Sequence, residues 1–205
     1  MKPVTRQVIL IGLIVLAVWF YETIRPVPQP PGILVPDPPH VSALTQGPRT
    51  FVHNEHVFTP LAKMDARGRI LSIERYGLDR ESKATLLDVA LGWGRMSDSR
   101  TLKNVDVAQT ERRLLAKSYD PALPDAEVAA STLNLHLVTS DPAVEKTLKT
   151  LRAGHIVRLD GYLVEAVGGD GWRWKGTQNS AQDLPATLMW VERIEVEQTQ
   201  PVDKS

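Results

Sequence analysis

Apolar residues alternate with polar ones in the C-terminal half of the chain, which is typical of strands. Leu133, Leu135 and Leu137 occupy every second position, so they predict a strand with one apolar face. The β-rich runs at 155–167 and 187–196 predict two more strands. A glycine-rich turn after the first of these runs predicts a hairpin leading into the tryptophans that follow.

Two segments of the chain predict helices. Asp141 followed by Pro142 predicts a helix start, because Asp caps free backbone N–H groups and Pro fits the first helical position. Residues 83–91 carry Leu and Ala at helical spacing before Gly92, which predicts a short helix that ends at this glycine.

Weaker patterns precede these elements. Residues 50–58 and 69–76 predict strands, whereas 105–116 fits either a strand or a helix. Several strands with one or two short helices predict an α+β fold for a single β-rich domain. A small barrel of the oligonucleotide/oligosaccharide-binding (OB) type is one architecture that fits this pattern.

The N-terminal residues form an uncharged apolar run of 14 residues, Val8 to Tyr21, after Lys2 and Arg6. The flanking charges and the aromatic cluster at its end predict a signal-anchor helix over 7–25, with a cytoplasmic N-terminus at 1–6. A cleaved signal peptide and a buried helix are the alternatives. The candidate anchor residues are Val8, Trp19, Phe20 and Tyr21.

A proline-rich segment follows at 26–40. Repeated prolines cannot donate backbone hydrogen bonds, so the segment is predicted to be an extended linker. It would hold a periplasmic domain at 41–199, with a C-terminal tail at 200–205, away from a bacterial inner membrane.

Charge and composition exclude several functions. The chain has 24 basic and 24 acidic residues, and this zero net charge argues against a nucleic acid as partner. Cysteine is absent, which excludes disulfides, thiolate metal sites and cysteine nucleophiles. No motif predicts a cofactor.

Three stretches resemble a set of uncharacterised bacterial proteins that carry an N-terminal membrane segment. They are GWGRMSD at 92–98, STLNLHL around His136, and GHIVRLDGYLVEAVGGDGWRWK at 154–175. The resemblance covers most of 50–196 and implies an envelope domain with no assigned activity. The chain departs from this set at Arg95, where proline is usual, and in the stretch at 176–188.

Two histidine motifs offer candidate chemistry. His53 and His56 flank Asn54-Glu55, but the spacing is not that of a zinc helix, and no third ligand lies nearby in sequence. His136 lies opposite the leucine face of its strand, and no nucleophile elbow accompanies it. We therefore predict neither a metal site nor a catalytic residue.

Trp172, Arg173 and Trp174 form the remaining candidate site. The two tryptophans share one face of a predicted strand, so they could stack on a sugar or a base as a ligand platform. Core packing is the favoured alternative, because each tryptophan buries a large area, and contact of one ring with a protein partner is compatible with both interpretations.

These patterns predict a non-enzymatic, single-pass inner-membrane protein whose periplasmic domain docks onto a larger envelope protein complex. The alternative is a periplasmic domain that binds or processes a glycan or an oligonucleotide on an OB-like barrel.

Overall fold

The computed structural model shows a protein built mostly from β-structure. It describes residues 11–16, 21, 25–45, 49–77, 82, 84, 85, 87–169, 171–174 and 186–197. Among the described residues, strands account for 48% and helices for 19%. The predicted α+β class is therefore wrong, because segments expected to be helical, or left open between helix and strand, form strands.

Nine strands are present in the described residues. They are β1 (His40–Ala43), β2 (Phe51–His53), β3 (His56–Arg75), β4 (Leu87–Gly92), β5 (Val105–Thr110), β6 (Arg113–Ser118), β7 (Thr132–Val138), β8 (Ile156–Gly168) and β9 (Ala186–Val196). The helices there include the stretch 11–16, α1 (Asp125–Ala130), α2 (Pro142–Lys149) and two short 3-10 helices, Gly94–Ser97 and Thr101–Asn104.

Five of the strands close into a barrel in the order β3-β4-β7-β9-β8, with β8 returning to β3. All neighbours are antiparallel except β7 and β9, which are parallel. The helix α2 connects β7 to β8. This connectivity is that of the OB fold, in which the face of the second and third barrel strands and the loops joining strands one to two and four to five ordinarily contact the ligand.

The largest local correction concerns the helix predicted over 83–91. The structure has strand β4 from Leu87, and all six of its residues are buried. Val89 and Leu91 point into the barrel, whereas Asp88 and Ala90 are buried on its outer face. A strand buried on both faces loses its alternation, so its short apolar run resembles a helix.

Two tight turns explain the weaker N-terminal patterns. The strand predicted over 50–58 is a hairpin, because Asn54 and Glu55 have φ of 47° and 65° and reverse the chain. In the same way Glu111 and Arg112, with φ of 47° and 62°, join β5 to β6. Successive positive φ angles are those of the turn that best suits a two-residue hairpin.

The strongest local predictions are confirmed. β7 contains the alternating leucines, and α2 begins at Pro142. The Asp141 carboxylate caps this helix by accepting hydrogen bonds from two backbone N–H groups.

Two clusters of apolar side chains form the core of the barrel. The larger cluster joins strand residues of the barrel to residues of α2 and the segment after it; it contains Met64, Ala66, Ile70, Leu87, Val89, Leu91, Leu135, Leu137, Val144, Leu148, Leu151, Val157, Leu159, Met189 and Val191. A second cluster contains Phe58, Ala84, Val138, Val164, Ala166, Leu188 and Trp190. Phe51 stacks on Trp190 in this second cluster at 4.4 Å between ring centroids.

The proline-rich residues 25–37, here called the strap, lie along the barrel instead of standing away from it. The N–H of Gly32 donates to the Asp98 carboxylate at 2.8 Å, and the N–H of Val35 donates to the Ser97 hydroxyl at 3.1 Å. Val35 is 1% exposed. The segment lies in neither a helix nor a strand, and it is part of the domain surface.

The predicted membrane anchor is contradicted. Among the described residues no helix is long and apolar enough to cross a membrane. The prediction is wrong because it extended a 14-residue apolar run to the roughly 20 residues that crossing requires.

The predicted inner-membrane and periplasmic placement depended on that anchor and is contradicted with it. Of the four candidate anchor residues, Val8, Trp19 and Phe20 lie outside the described residues, as do the predicted N-terminus 1–6 and tail 200–205. Tyr21 is described and is 61% exposed.

Candidate functional site

The outer face of β4 and β7 is covered by the chain itself. Asp88, Ala90, Asn134 and His136 point outward from the barrel, yet each is at most 2% exposed. The β5–β6 hairpin lies over them, and Leu114 of β6 packs on Ala90. The surface that an OB barrel commonly offers to an oligomeric ligand is therefore closed here.

A charged cluster is buried beneath this cover. The Nδ1 atom of His136 lies 2.7 Å from Oδ1 of Asp88, although the two are not aligned as a hydrogen bond. The Arg112 guanidinium lies 3.5 Å from the same carboxylate oxygen. A buried carboxylate is costly unless it is paired, so the hairpin supplies the cation that Asp88 needs.

The tip of the hairpin holds Arg112 between two aromatic rings. Its guanidinium carbon is 3.9 Å from the Tyr76 ring centroid and 5.6 Å from that of Trp174. One guanidinium nitrogen donates to the Thr85 carbonyl at 3.1 Å, and the Arg112 backbone N–H donates to the Tyr76 hydroxyl at 3.1 Å. Burial and the nearby Asp88 raise the pKa of Tyr76, so this phenol stays neutral.

Within the described residues, buried polar atoms without a hydrogen-bond partner concentrate here. They are Asp88 Oδ2, His136 Nδ1, Gln109 Oε1 and Trp174 Nε1, with Arg69 Nε as the one exception elsewhere. His136 is 2% exposed and faces Asp88 and Trp174, so it cannot contact a substrate in this conformation. The arrangement fits a stabilising charge cluster better than a catalytic dyad.

The predicted platform of Trp172, Arg173 and Trp174 runs beside the end of β8, where Arg173 bridges to Val167. Both tryptophans are half-buried and pack against the second core cluster, while Arg173 is exposed. The centroids of the two tryptophan rings are 5.9 Å apart, with an interplanar angle of 78°. The centroid of the Trp174 ring is 4.6 Å from that of the His136 ring. Rings packed edge to face against the core do not form a flat stacking surface, so the ligand platform stays a prediction.

The two N-terminal histidines are partners across the β2–β3 turn rather than members of one strand. His56 is 7% exposed, and its Nδ1 lies 2.6 Å from the Asn54 carbonyl oxygen. His53 lies at the edge of an open cavity. In the part of the chain that the structure describes, no group of three or more His, Cys, Asp or Glu side chains could hold a metal.

That open cavity, here called the end cavity, is the candidate binding site. It has a volume of about 420 Å³, within the range typical of ligand pockets. It lies between the β2–β3 turn, the loop from β3 to β4, the end of β7 and α2. The lining residues are His53, Asn54, Arg75, Tyr76, Ser82, Ala84, Thr85, Leu87, Leu137, Val138, Thr139, Glu145, Leu148 and Lys149.

The end cavity combines a buried apolar floor with a polar rim. Leu87, Leu137 and Leu148 of the floor are each at most 7% exposed. On the rim the Lys149 ammonium bonds Glu145 at 2.6 Å, and this hydrogen bond lowers the pKa of the Glu145 carboxyl. An apolar side chain with polar backbone around it would match such a surface.

Tyr76 and Thr85 belong both to the wall of the end cavity and to the buried charge cluster. Sequence reasoning missed both residues and Arg112. The only local signal was the Glu111-Arg112 pair between two runs of strand-forming residues, which is a weak turn signal without glycine.

The chain matches no family model, no curated protein and no solved structure. The resemblance of residues 50–196 to uncharacterised bacterial proteins stays a prediction.

Proposed function

We propose that the protein is a non-enzymatic docking module, and that it binds a partner protein by taking an apolar side chain of that partner into the end cavity. The observation that carries this proposal is the open cavity with a floor of buried aliphatic side chains. Protein interfaces are commonly anchored by one large apolar side chain in such a pocket, surrounded by polar contacts.

The closed face of β4 and β7 favours this function over the glycan or oligonucleotide alternative. An oligomeric ligand needs an accessible row of contacts, whereas Asn134 and His136 are buried under the hairpin. Stacking also needs a free ring face, and Trp174 is packed against His136. A net charge of zero adds no attraction for phosphates.

Filling the end cavity tests the proposal. Peptides displayed as a random library would be selected on the immobilised full chain, and their Kd measured by fluorescence anisotropy. We expect His53→Trp to weaken the binding of a selected peptide at least tenfold, because the larger ring occupies the cavity that His53 lines.

Val52→Trp is the matched control. Val52 precedes His53 in β2, is 71% exposed and does not line the cavity. It should therefore leave the Kd unchanged. Equal binding to wild type and to His53→Trp, or failure to select any peptide, would overturn the proposal.

A further inference from the structure

A groove lies next to the end cavity, between β3 and the segment after α2. Its volume is about 860 Å³, and it is here called the β3 groove. Its lining residues are Leu71, Ser72, Ile73, Arg75, Lys149, Thr150, Leu151, Arg152 and Ala153. Arg75 and Lys149 also line the end cavity, so these two cations stand between the two concave surfaces.

The β3 groove runs along a strand edge that has room for another strand. β8 pairs with β3 only as far as Arg69, and Ile70 then exchanges hydrogen bonds with Gly154 and His155. Beyond this point 149–153 diverges from β3. In the described chain, residues 71–75 pair with β4 on their other side and with no strand on the groove side. An open edge of this kind is a template for an extended peptide.

The described charged side chains that line the β3 groove are all basic, and one of them, Lys149, is paired with Glu145 of the end cavity. Among its described lining residues Arg75, Lys149 and Arg152 are basic, and none is acidic. The aliphatic side chains of Leu71, Ile73 and Leu151 supply the apolar part of the surface. Apolar contacts with cations at intervals match a segment that alternates apolar and acidic residues.

We propose that the β3 groove binds an extended acidic segment of the partner protein, which adds as a strand to residues 71–75 of β3. This inference rests on the proposed docking function and names the chemistry of the partner. About five residues of the segment would pair with the free edge, at roughly 3.3 Å per residue. The segment then leads past Arg75 into the end cavity.

Arg75 would change partners when the segment binds. Its guanidinium donates to the carbonyls of Leu151 at 2.8 Å and Lys149 at 3.3 Å. A carboxylate offers a stronger, charge-assisted acceptor to the same nitrogen atoms. Binding therefore exchanges two neutral acceptors for a charged one and frees the groove for the peptide backbone.

Three synthetic peptides test this proposal on the full chain. Each is acetylated, amidated and nine residues long, with Val alternating with Glu, Gln or Lys. We expect the Glu peptide to bind at least tenfold tighter than the Gln peptide at low salt, and the Lys peptide to bind most weakly. Hydrogen exchange should slow at the amides of 71–75 when the Glu peptide is added.

Variants that each remove one positive charge test where on the protein the Glu peptide binds. Arg75→Gln and Lys149→Gln should each weaken the binding of the Glu peptide about tenfold. Lys146→Gln removes the same charge from an exposed position of α2 that lines neither surface, and should leave the Kd unchanged. Thermal unfolding of each variant checks that the fold is retained, and Lys149 is exposed enough for its replacement to be tolerated.

The outcomes separate this inference from the docking function itself. Equal affinity for the Glu and Gln peptides would overturn the acidic partner, and unchanged exchange at 71–75 would overturn strand addition. Either result would leave docking intact if library peptides still bind and still respond to His53→Trp. If neither the library peptides nor the three synthetic peptides bind, both proposals are overturned.

Discussion

Replacing Arg112 with methionine should lower the free energy of unfolding by about 3 to 5 kcal/mol, as expected when one partner of a buried ion pair is removed. The Asp88 side chain is 0% exposed, and the Arg112 side chain beside it is 11% exposed. Methionine keeps most of the volume but leaves a buried carboxylate without this cation. Urea unfolding, followed by circular dichroism, measures the loss.

Two further variants show whether the unpaired charge of Asp88 causes the loss of stability. Adding Asp88→Asn to Arg112→Met should recover a large part of the lost stability, because the unpaired charge is removed with its partner. Arg158→Met is the surface control, since its ion pair with Asp65 is exposed to solvent. It should leave the urea midpoint close to that of wild type. A double variant less stable than Arg112→Met would contradict the role given to this pair.

The double variant Trp172→Ala, Trp174→Ala should also lose about 3 to 5 kcal/mol, the range found when a large aromatic side chain is removed from a core. Trp174 packs on His136, Trp172 packs on His56 at 5.4 Å between ring centroids, and both contact the second core cluster. Their removal would expose the buried charge cluster to water. Thermal and urea unfolding measure the change.

Tyr119→Ala is the matched control for aromatic loss. Tyr119 is 60% exposed, and its hydroxyl donates to the exposed carboxylate of Asp106. Its removal should leave the unfolding transition close to wild type. A tryptophan double variant as stable as Tyr119→Ala would mean that the two rings are surface groups, and would return the ligand platform to first place.

Sequence patterns within a few residues were sufficient to predict some of the strands and helices. The alternating leucines of β7 and the Asp141 cap of α2 depend on residues within a few positions of each other. Such patterns can be interpreted without knowledge of the rest of the chain.

The remaining elements and pairings depend on contacts between residues that are distant in sequence. A helix was predicted in place of β4 because the β5–β6 hairpin buries the outer face of this strand. No residue within 83–91 indicates that this face is buried. The strap was expected to stand away from the domain, but it bonds to Ser97 and Asp98, which lie more than 60 residues away. The pairing of Arg112 with Asp88 and the closure of the barrel are equally non-local.

The end cavity also depends on contacts between residues distant in sequence. The end cavity is assembled from a turn, a loop, a strand end and a helix, none of which carries a binding motif by itself. Sequence reasoning placed its candidate site on Trp172 and Trp174 because paired tryptophans are a visible signal. In the structure Trp174 lies against His136 and Arg112 of the charge cluster.

Chemical-shift mapping of the full chain tests the central claim most directly. The amide resonances of isotopically labelled protein would be followed while a library-selected peptide is added. We predict that the largest shifts fall at Thr85, Thr139 and Lys149 around the end cavity. The largest shifts at Trp172 to Trp174, with none around the cavity, would contradict it.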